Sequence, residues 1–165
     1  MNLAGLAFVA KQSVTGLGIA GLAVVTEGEM TGAGLSGLAL VGNAGITGFS
    51  FAGAAIVSKG DITGAQFTVG ELRSESSVTG VSVAGFRTKA VQLTGLHLNI
   101  VMTQAEYTEG VISGIYNRVS AKQTGLSIGI FNHATVLRGV QIGIINYAES
   151  NPPLLKILPL LNADF

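Results

Sequence analysis

The amino-acid sequence predicts an all-β fold: a parallel β-solenoid (β-helix) of about ten coils of 14–16 residues, closed by a proline-containing C-terminal cap. Three observations predict it. One glycine recurs at a nearly constant spacing, the residues after it alternate between apolar and small or polar types, and all three prolines fall near the C-terminus. The runner-up architecture is an antiparallel up-and-down barrel, which shares the alternation but needs turn signals every 8–12 residues or so.

The recurring glycine defines the coil. It is preceded by threonine in seven of nine cases and by Glu109 or Arg138 in the other two, and its spacing is 16 residues four times, 15 three times and 14 once. We expect these glycines to form structural corners, because glycine adopts backbone angles that a bend requires. They are Gly16, Gly32, Gly48, Gly64, Gly80, Gly95, Gly110, Gly125 and Gly139.

The alternation after each corner predicts a strand with one buried face. With the threonine at position 1 and the glycine at position 2, positions 3 and 5 are apolar in nearly every coil and position 4 is small or polar. We expect the inward direction to change at the corner, so that positions 3 and 5 point into the core. Ile128 occupies position 5, and on this interpretation Ile128→Asp prevents folding.

The two ends of the chain differ from the middle. Residues 1–149 are predicted to form the solenoid repeat domain, and residues 150–165 the C-terminal cap. Proline cannot donate a hydrogen bond to a β-ladder, so we expect this segment to stop strand addition while its leucines cover the last rung.

Composition excludes several functions. With 11% charged and 48% hydrophobic residues the chain is not disordered, and a net charge of zero without a basic cluster argues against nucleic-acid binding. There is no cysteine for a disulfide or a thiolate metal site. No apolar run approaches the roughly 20 residues of a membrane-spanning helix, so the chain is not expected to span a membrane. The N-terminus lacks a basic region, and we do not expect it to be a signal peptide.

Charge is unevenly distributed around the coil. Positions 2 to 8 contain no Asp, Glu, Lys or Arg in any coil, whereas positions 9 to 15 carry most of the charges. We therefore predict an interaction face of small and polar residues at positions 4 and 6, which a second copy (a dimer) or another protein's flat surface would cover. Its residues are Ser50, Gln66, Thr68, Ser82, His97, Asn99, Ser127 and Gln141. Arginine at positions 66, 82 and 127 together should then give a folded monomer.

No catalytic, cofactor or metal site is predicted. His97 and His133 occupy different coil positions and cannot share a metal. Glu27, Glu29 and Asp61 are interpreted as a solvated edge, and the Gly-x-Gly-x-x-Gly string at 16–21 as a by-product of the repeat.

Three asparagines share position 9 in the last three rungs. Asn117, Asn132 and Asn146 are expected to form a structural ladder of stacked side-chain amides.

The last two rungs, residues 125–134 and 139–148, and the tail at 158–165 resemble bacterial surface-repeat proteins. Those proteins consist of Gly-φ-Gln-φ-Gly-φ-φ-Asn-x-Ala units, where φ is apolar, and are closed by a Leu-Pro-φ-φ-Asn tail. The similarity covers about residues 110–165, and Ser113 departs from the pattern at an expected apolar site. The resemblance implies an exported or outer-membrane-associated, non-enzymatic protein.

Three functional hypotheses follow. The first is a non-enzymatic structural or interaction rod, exported in a bacterium, that associates through a flat face. The second is a binder of an ordered surface, such as ice or a polymer, through the row of threonines. The third is a β-helix carbohydrate-active enzyme, which would need acids and bases clustered on the sheet face, where this sequence has none.

Overall fold

The computed structural model describes residues 2–164 of the chain and the side chains of residues 4–164. The described residues form one 17-stranded sheet without a helix, and its pairings are parallel except for the last. The all-β, parallel β-solenoid class is therefore confirmed. The solenoid has about eight turns, counted from the first to the ninth corner glycine, rather than about ten.

Each coil consists of three extended segments. In β5 (Glu29–Ser36) side 1 ends at Thr31, the chain bends at Gly32, and side 2 follows up to Ser36. Side 3 is the separate short strand β6 (Ala39–Gly42). We number the rungs 1 to 9 after their corner glycines, from Gly16 to Gly139.

The strands recur in the same order along the chain. Those that carry sides 1 and 2 together are β3 (Val14–Ala20), β5 (Glu29–Ser36), β7 (Gly45–Ala52), β9 (Asp61–Thr68), β11 (Ser77–Ala84) and β13 (Gln92–Asn99). Those of side 3 are β2 (Ala7–Ala10), β4 (Ala23–Thr26), β6 (Ala39–Gly42), β8 (Ala55–Ser58), β10 (Glu71–Ser74) and β12 (Arg87–Lys89). The remaining strands are β1 (Asn2–Ala4), β14 (Met102–Ser113), β15 (Tyr116–Ile128), β16 (Phe131–Ala148) and β17 (Ile157–Asp164).

The corner glycines stack directly on one another. All nine have φ between +102° and +142°, a conformation that L-residues with a Cβ rarely adopt. From Gly32 onward, a Cβ added at the corner would also overlap the carbonyl oxygen of the glycine one rung below. The corners thus tolerate only glycine for two independent reasons.

Alternation continues through the corner instead of changing there. In β5 the side chains of Met30 and Ser36 are buried, whereas Ala33 and Leu35 are partly exposed. The prediction that positions 3 and 5 point inward is therefore wrong. Ile128, at position 5, is 41% exposed.

Interior volume explains this orientation. Sides 1 and 3 already fill the core with large side chains such as Met30 and Leu40, both of which are fully buried. A Cβ added at Gly34 would overlap the side chains of these two residues. Side 2 can therefore send only small groups inward in this rung, and its large apolar residues lie outside.

The core changes character along the chain. Side 3 has two inward columns. The first is apolar in the early rungs, with Val24, Leu40, Ile56 and Leu72, and polar afterwards, with Thr88, Thr103, Asn117, Asn132 and Asn146. The second changes in the opposite sense, from Thr26, Ser58 and Ser74 to Ala90, Ala105, Val119, Ala134 and Ala148. The inward column of side 1 includes Met30, Ile46, Ile62, Val78 and Leu93. Large apolar side chains fill side 3 of the N-terminal rungs, where the buried polar groups such as Ser58 bond to backbone carbonyls, and bonds between buried side chains appear in the C-terminal rungs.

The C-terminal segment ends the stack differently from the expectation. Strand β17 pairs antiparallel with β16, opposite Gly139–Gly143, so strand addition does not stop before it. Pro159 is tolerated because it lies where the pairing register is interrupted. Leu154 is 93% exposed and Leu160 is 74% exposed, whereas Asn162 is fully buried. The backbone and Asn162 cover the last rung, and these leucines do not.

The inward and outward directions can be tested at two adjacent residues. Ser127 is buried and donates a hydrogen bond to Asn132 Oδ1 at 2.7 Å, whereas Ile128 is on the outer surface. We expect Ser127→Asp to lower the free energy of unfolding by about 3 kcal/mol or more, because it buries an unpaired carboxylate. Ile128→Asp should cost about 1 kcal/mol, since it loses only partial packing. Urea unfolding of both variants at low protein concentration measures this, and the reverse order would show that position 5 points inward.

Candidate interaction face

The outward side chains of side 2 form two columns that run along the nine rungs. We call the residues at positions 3 and 5 the apolar face, because all but Ser113 are apolar. They are Leu17, Ile19, Ala33, Leu35, Phe49, Phe51, Ala65, Phe67, Val81, Val83, Leu96, Leu98, Val111, Ser113, Leu126, Ile128, Val140 and Ile142.

Side chains of the apolar face are open to solvent from the outside. Phe49 and Phe51 are each 43% exposed, and Leu96 and Ile142 are 36% and 42% exposed. In a parallel, in-register sheet each of these residues is flanked by its equivalents above and below, which covers much of its remaining surface. Only their outward surfaces are therefore exposed, as on a sheet face that nothing covers.

The size of the face exceeds what a monomer ordinarily leaves exposed. Eight steps of about 4.8 Å give a length of roughly 38 Å, and five residues at about 3.3 Å per residue give a width of roughly 16 Å. The corner after side 2 adds further exposed apolar residues, among them Leu38, Phe86, Ile115 and Ile130. Length times width is roughly 600 Å², and these residues enlarge the patch beyond the 300–600 Å² or so of the largest patch on a typical monomer.

The interaction face predicted from the sequence is inside the solenoid. Its eight residues, Ser50, Gln66, Thr68, Ser82, His97, Asn99, Ser127 and Gln141, are between 0% and 7% exposed. The prediction is wrong because positions 4 and 6 continue the inward alternation of side 1. Arginines at positions 66, 82 and 127 would place three guanidinium groups in the core, so that triple variant is expected to unfold rather than to become a monomer.

Some buried polar side chains of side 2 hydrogen-bond with each other or with side 3. Ser82 Oγ lies 2.7 Å from His97 Nδ1, and Asn99 Nδ2 donates to Thr103 Oγ1 at 2.7 Å. Asn99 also accepts a hydrogen bond from Thr88. Burial lowers the pKa of His97 from 6.5 to about 4, so the imidazole is neutral at pH 7.

The structure places the three asparagines in a continuous ladder. Asn117 Nδ2 donates to Asn132 Oδ1 at 2.8 Å, and Asn132 Nδ2 donates to Asn146 Oδ1 at 2.8 Å. Asn146 Nδ2 then donates to the Leu158 carbonyl at 3.2 Å. The ladder therefore extends into the cap and joins the last rung to β17.

The threonine row lies on the polar side 1, next to the corner. It is a single file, because the column beside it is mixed and includes Glu29, Gly45 and Asp61. Thr47 donates to Glu29 Oε1 at 3.0 Å, while hydrogen bonds from Ser76 and Ser77 hold the pKa of Asp61 below its usual range. These acidic groups bond to neighbouring rungs and do not form a paired site.

The other candidates from the sequence are not brought together. His97 is inside side 2, whereas His133 is on the outside of side 3, with its Nε2 3.5 Å from Glu149. Within residues 2–164 no three His, Cys, Asp or Glu side chains are grouped to hold a metal ion. A groove of about 420 Å³ lies at the corner between sides 3 and 1, lined by residues of mixed charge that include Arg73, Glu75 and Lys89.

Comparison with known proteins adds no relative. No protein-family model, curated protein or solved structure matches the chain. In the described part of the chain, no helix has the length and apolar character needed to cross a membrane.

The buried His97 predicts a pH-dependent stability. The unfolded chain binds a proton at His97 below about pH 6.5 and the folded chain only below about 4, so stability is full above pH 6.5 and falls as the pH drops toward 4. The shift corresponds to about 3 kcal/mol. His97→Gln is the matched variant, because Gln66 and Gln141 occupy the same inward position in other rungs. Urea unfolding from pH 7.5 to 4 should show the wild type losing about 3 kcal/mol relative to His97→Gln. Parallel pH profiles would contradict a neutral buried histidine.

Proposed function

We propose that this protein is a non-enzymatic interaction rod that self-associates through its apolar face. The observation that carries the proposal is the exposure of two continuous apolar columns along nine rungs, on a side without any charged residue at positions 2 to 8. Removing such a surface from water is favourable, at about 25 cal/mol per Å² of apolar area. A rigid sheet also loses little conformational entropy on association.

The area supports a specific complex. Roughly 600 Å² per copy, before the corner residues are added, is at the lower end of the 600–1,000 Å² or so per partner of a standard interface. A flat sheet face fits best against another flat sheet face, at a separation of about 10 Å. A second copy of the chain supplies such a face with the same length and chemistry.

We further propose that the rod works on a bacterial surface, after export. This part rests on the resemblance of residues 110–165 to surface-repeat proteins and on no feature of the apolar face. Labelling of intact native cells with a membrane-impermeant amine reagent tests it, because a rod that stays inside the cell would not react.

Charge placed on the apolar face should abolish association. We expect the wild-type chain to sediment and scatter light with at least twice its 16.8 kDa mass. Val81→Lys combined with Leu96→Lys should give a folded monomer, because each lysine would have to be desolvated in the interface.

The control carries the same charge in the same rungs. Thr79→Lys combined with Gln92→Lys adds two lysines on side 1, where both residues are exposed. This variant should keep the wild-type mass. A wild-type chain that is monomeric at hundreds of micromolar, or a face variant that keeps the wild-type mass, would overturn the proposal.

A further inference from the structure

We propose that the apolar faces of two copies pack with the rods antiparallel, as a closed dimer whose two-fold axis passes through rung 5. This inference rests on the proposed function and adds the arrangement of the two copies. Rung 5 is the middle of the nine rungs and carries Val81 and Val83 on its outer side. In this arrangement rung 1 of one copy lies level with rung 9 of the other, and rung 3 with rung 7.

Side-chain sizes on the apolar face are complementary in this arrangement. Position 3 then meets position 3, and position 5 meets position 5. The small residues of the face are Ala33, Ala65 and Ser113. Each meets a large side chain, which is Leu126 opposite Ala33, Leu96 opposite Ala65 and Phe51 opposite Ser113. These three matches leave no void beside the small residues, as dense packing requires.

The outward residues of side 3, which flank the apolar face, also differ in size between the two ends of the rod. Its outward column begins with Ala23, Ala39 and Ala55 and continues with Met102, Tyr116 and Phe131 in the later rungs. The rings of Tyr116 and Phe131 stack with centroids 5.2 Å apart. Reversing one rod brings Ala39 of each copy level with Phe131 of the other, and Ala55 level with Tyr116. Arg87, level with the axis, is neutralised by Glu71 at 2.7 Å.

Charges on side 1 agree with the reversal. Glu29 in rung 2 and Lys122 in rung 8 occupy the same outward column, and both are exposed. In the antiparallel dimer they lie level with each other at the rim, twice by symmetry. Opposite charges at an interface rim favour the correct register.

A parallel arrangement keeps only part of these matches, because position 3 of each rung then faces position 5: Ala33 would meet Leu35 and Ala65 would meet Phe67. Each rung would then face itself, so that Phe49 and Phe51 of both copies would crowd one level. Val111 and Ser113 would leave a gap at another level. The flank of side 1 would run along side 3, and the pairing of Glu29 with Lys122 would be lost. Overpacking at one level and a void at another both cost stability.

Cysteine cross-linking distinguishes the arrangements, because the chain has no cysteine of its own. In the antiparallel dimer Val83→Cys lies at the axis and should cross-link to itself with a short bismaleimide, doubling the mass. Ile19→Cys in rung 1 lies about 38 Å from its copy and should not cross-link alone. An equal mixture of Ile19→Cys and Ile142→Cys should give the cross-linked heterodimer.

The outcomes separate this inference from the proposed function. If Ile19→Cys cross-links to itself, the rods are parallel: the face remains the interface, but the antiparallel dimer is wrong. If the species grows beyond twice the monomer mass, the closed dimer is wrong. If the wild type is a monomer and no variant cross-links, both proposals fail. A Gln92→Cys variant on side 1 that cross-links while Val83→Cys does not would also reject both, because another side would then be the interface.

Discussion

The stacking of glycine on glycine at the Thr-Gly corner determines the register of the other columns. With φ near +120° and the carbonyl of the previous glycine directly beneath, the corner has no room for a Cβ. Each glycine must therefore lie above its predecessor. Once the corners are aligned, backbone hydrogen bonds extend the same register along sides 1 and 2, and every residue lies above its equivalent. The inside and the outside of the solenoid are consequently built from vertical columns rather than from individual contacts.

Because residues stack in columns, the narrow interior restricts the side-chain sizes that each column can hold. A large residue on two sides leaves little space on the third, which is why Gly34 lies between Met30 and Leu40. Where the first inward column of side 3 becomes polar, stacking turns a single hydrogen bond into a ladder such as Asn117, Asn132 and Asn146. Asn132 accepts from Asn117 and donates to Asn146, which in turn donates to backbone carbonyls, so burial of these two amides costs little. His97 is not part of a ladder of identical side chains. Burial lowers its pKa, so the imidazole is neutral in the core at pH 7.

The sequence was sufficient to predict the solenoid class, the corner positions and the asparagine column, because each depends on spacing alone. It did not give the direction of side 2, because we assumed that apolar residues lie inside. The repeat contained the missing signal: a 16-residue coil is even, so an alternation along the strands that places Met30 and Ile46 inside also places Ser36 and Ser50 inside, with a break only at corners such as Leu38. Hydrophobicity misleads here because the outer face of side 2 is itself apolar. The same assumption, that apolar residues lie inside, led to the expectation that the C-terminal leucines cover the last rung, whereas Leu154 and Leu160 are exposed.

The later coils are shorter, and the place where their residues are lost shows that the pairing register of side 2 is kept constant. A coil of 15 residues is odd, so alternation cannot continue unbroken around it. In β14 and β15 the interruption of the register falls between Ala105 and Tyr107 and between Val119 and Lys122, at the corner between sides 3 and 1. The groove lined by Arg73 and Lys89 lies at this corner. Side 2 pairs without interruption from rung 1 to rung 9. Changes in coil length are thus absorbed away from the apolar face, and its two columns stay straight, as a flat partner surface requires.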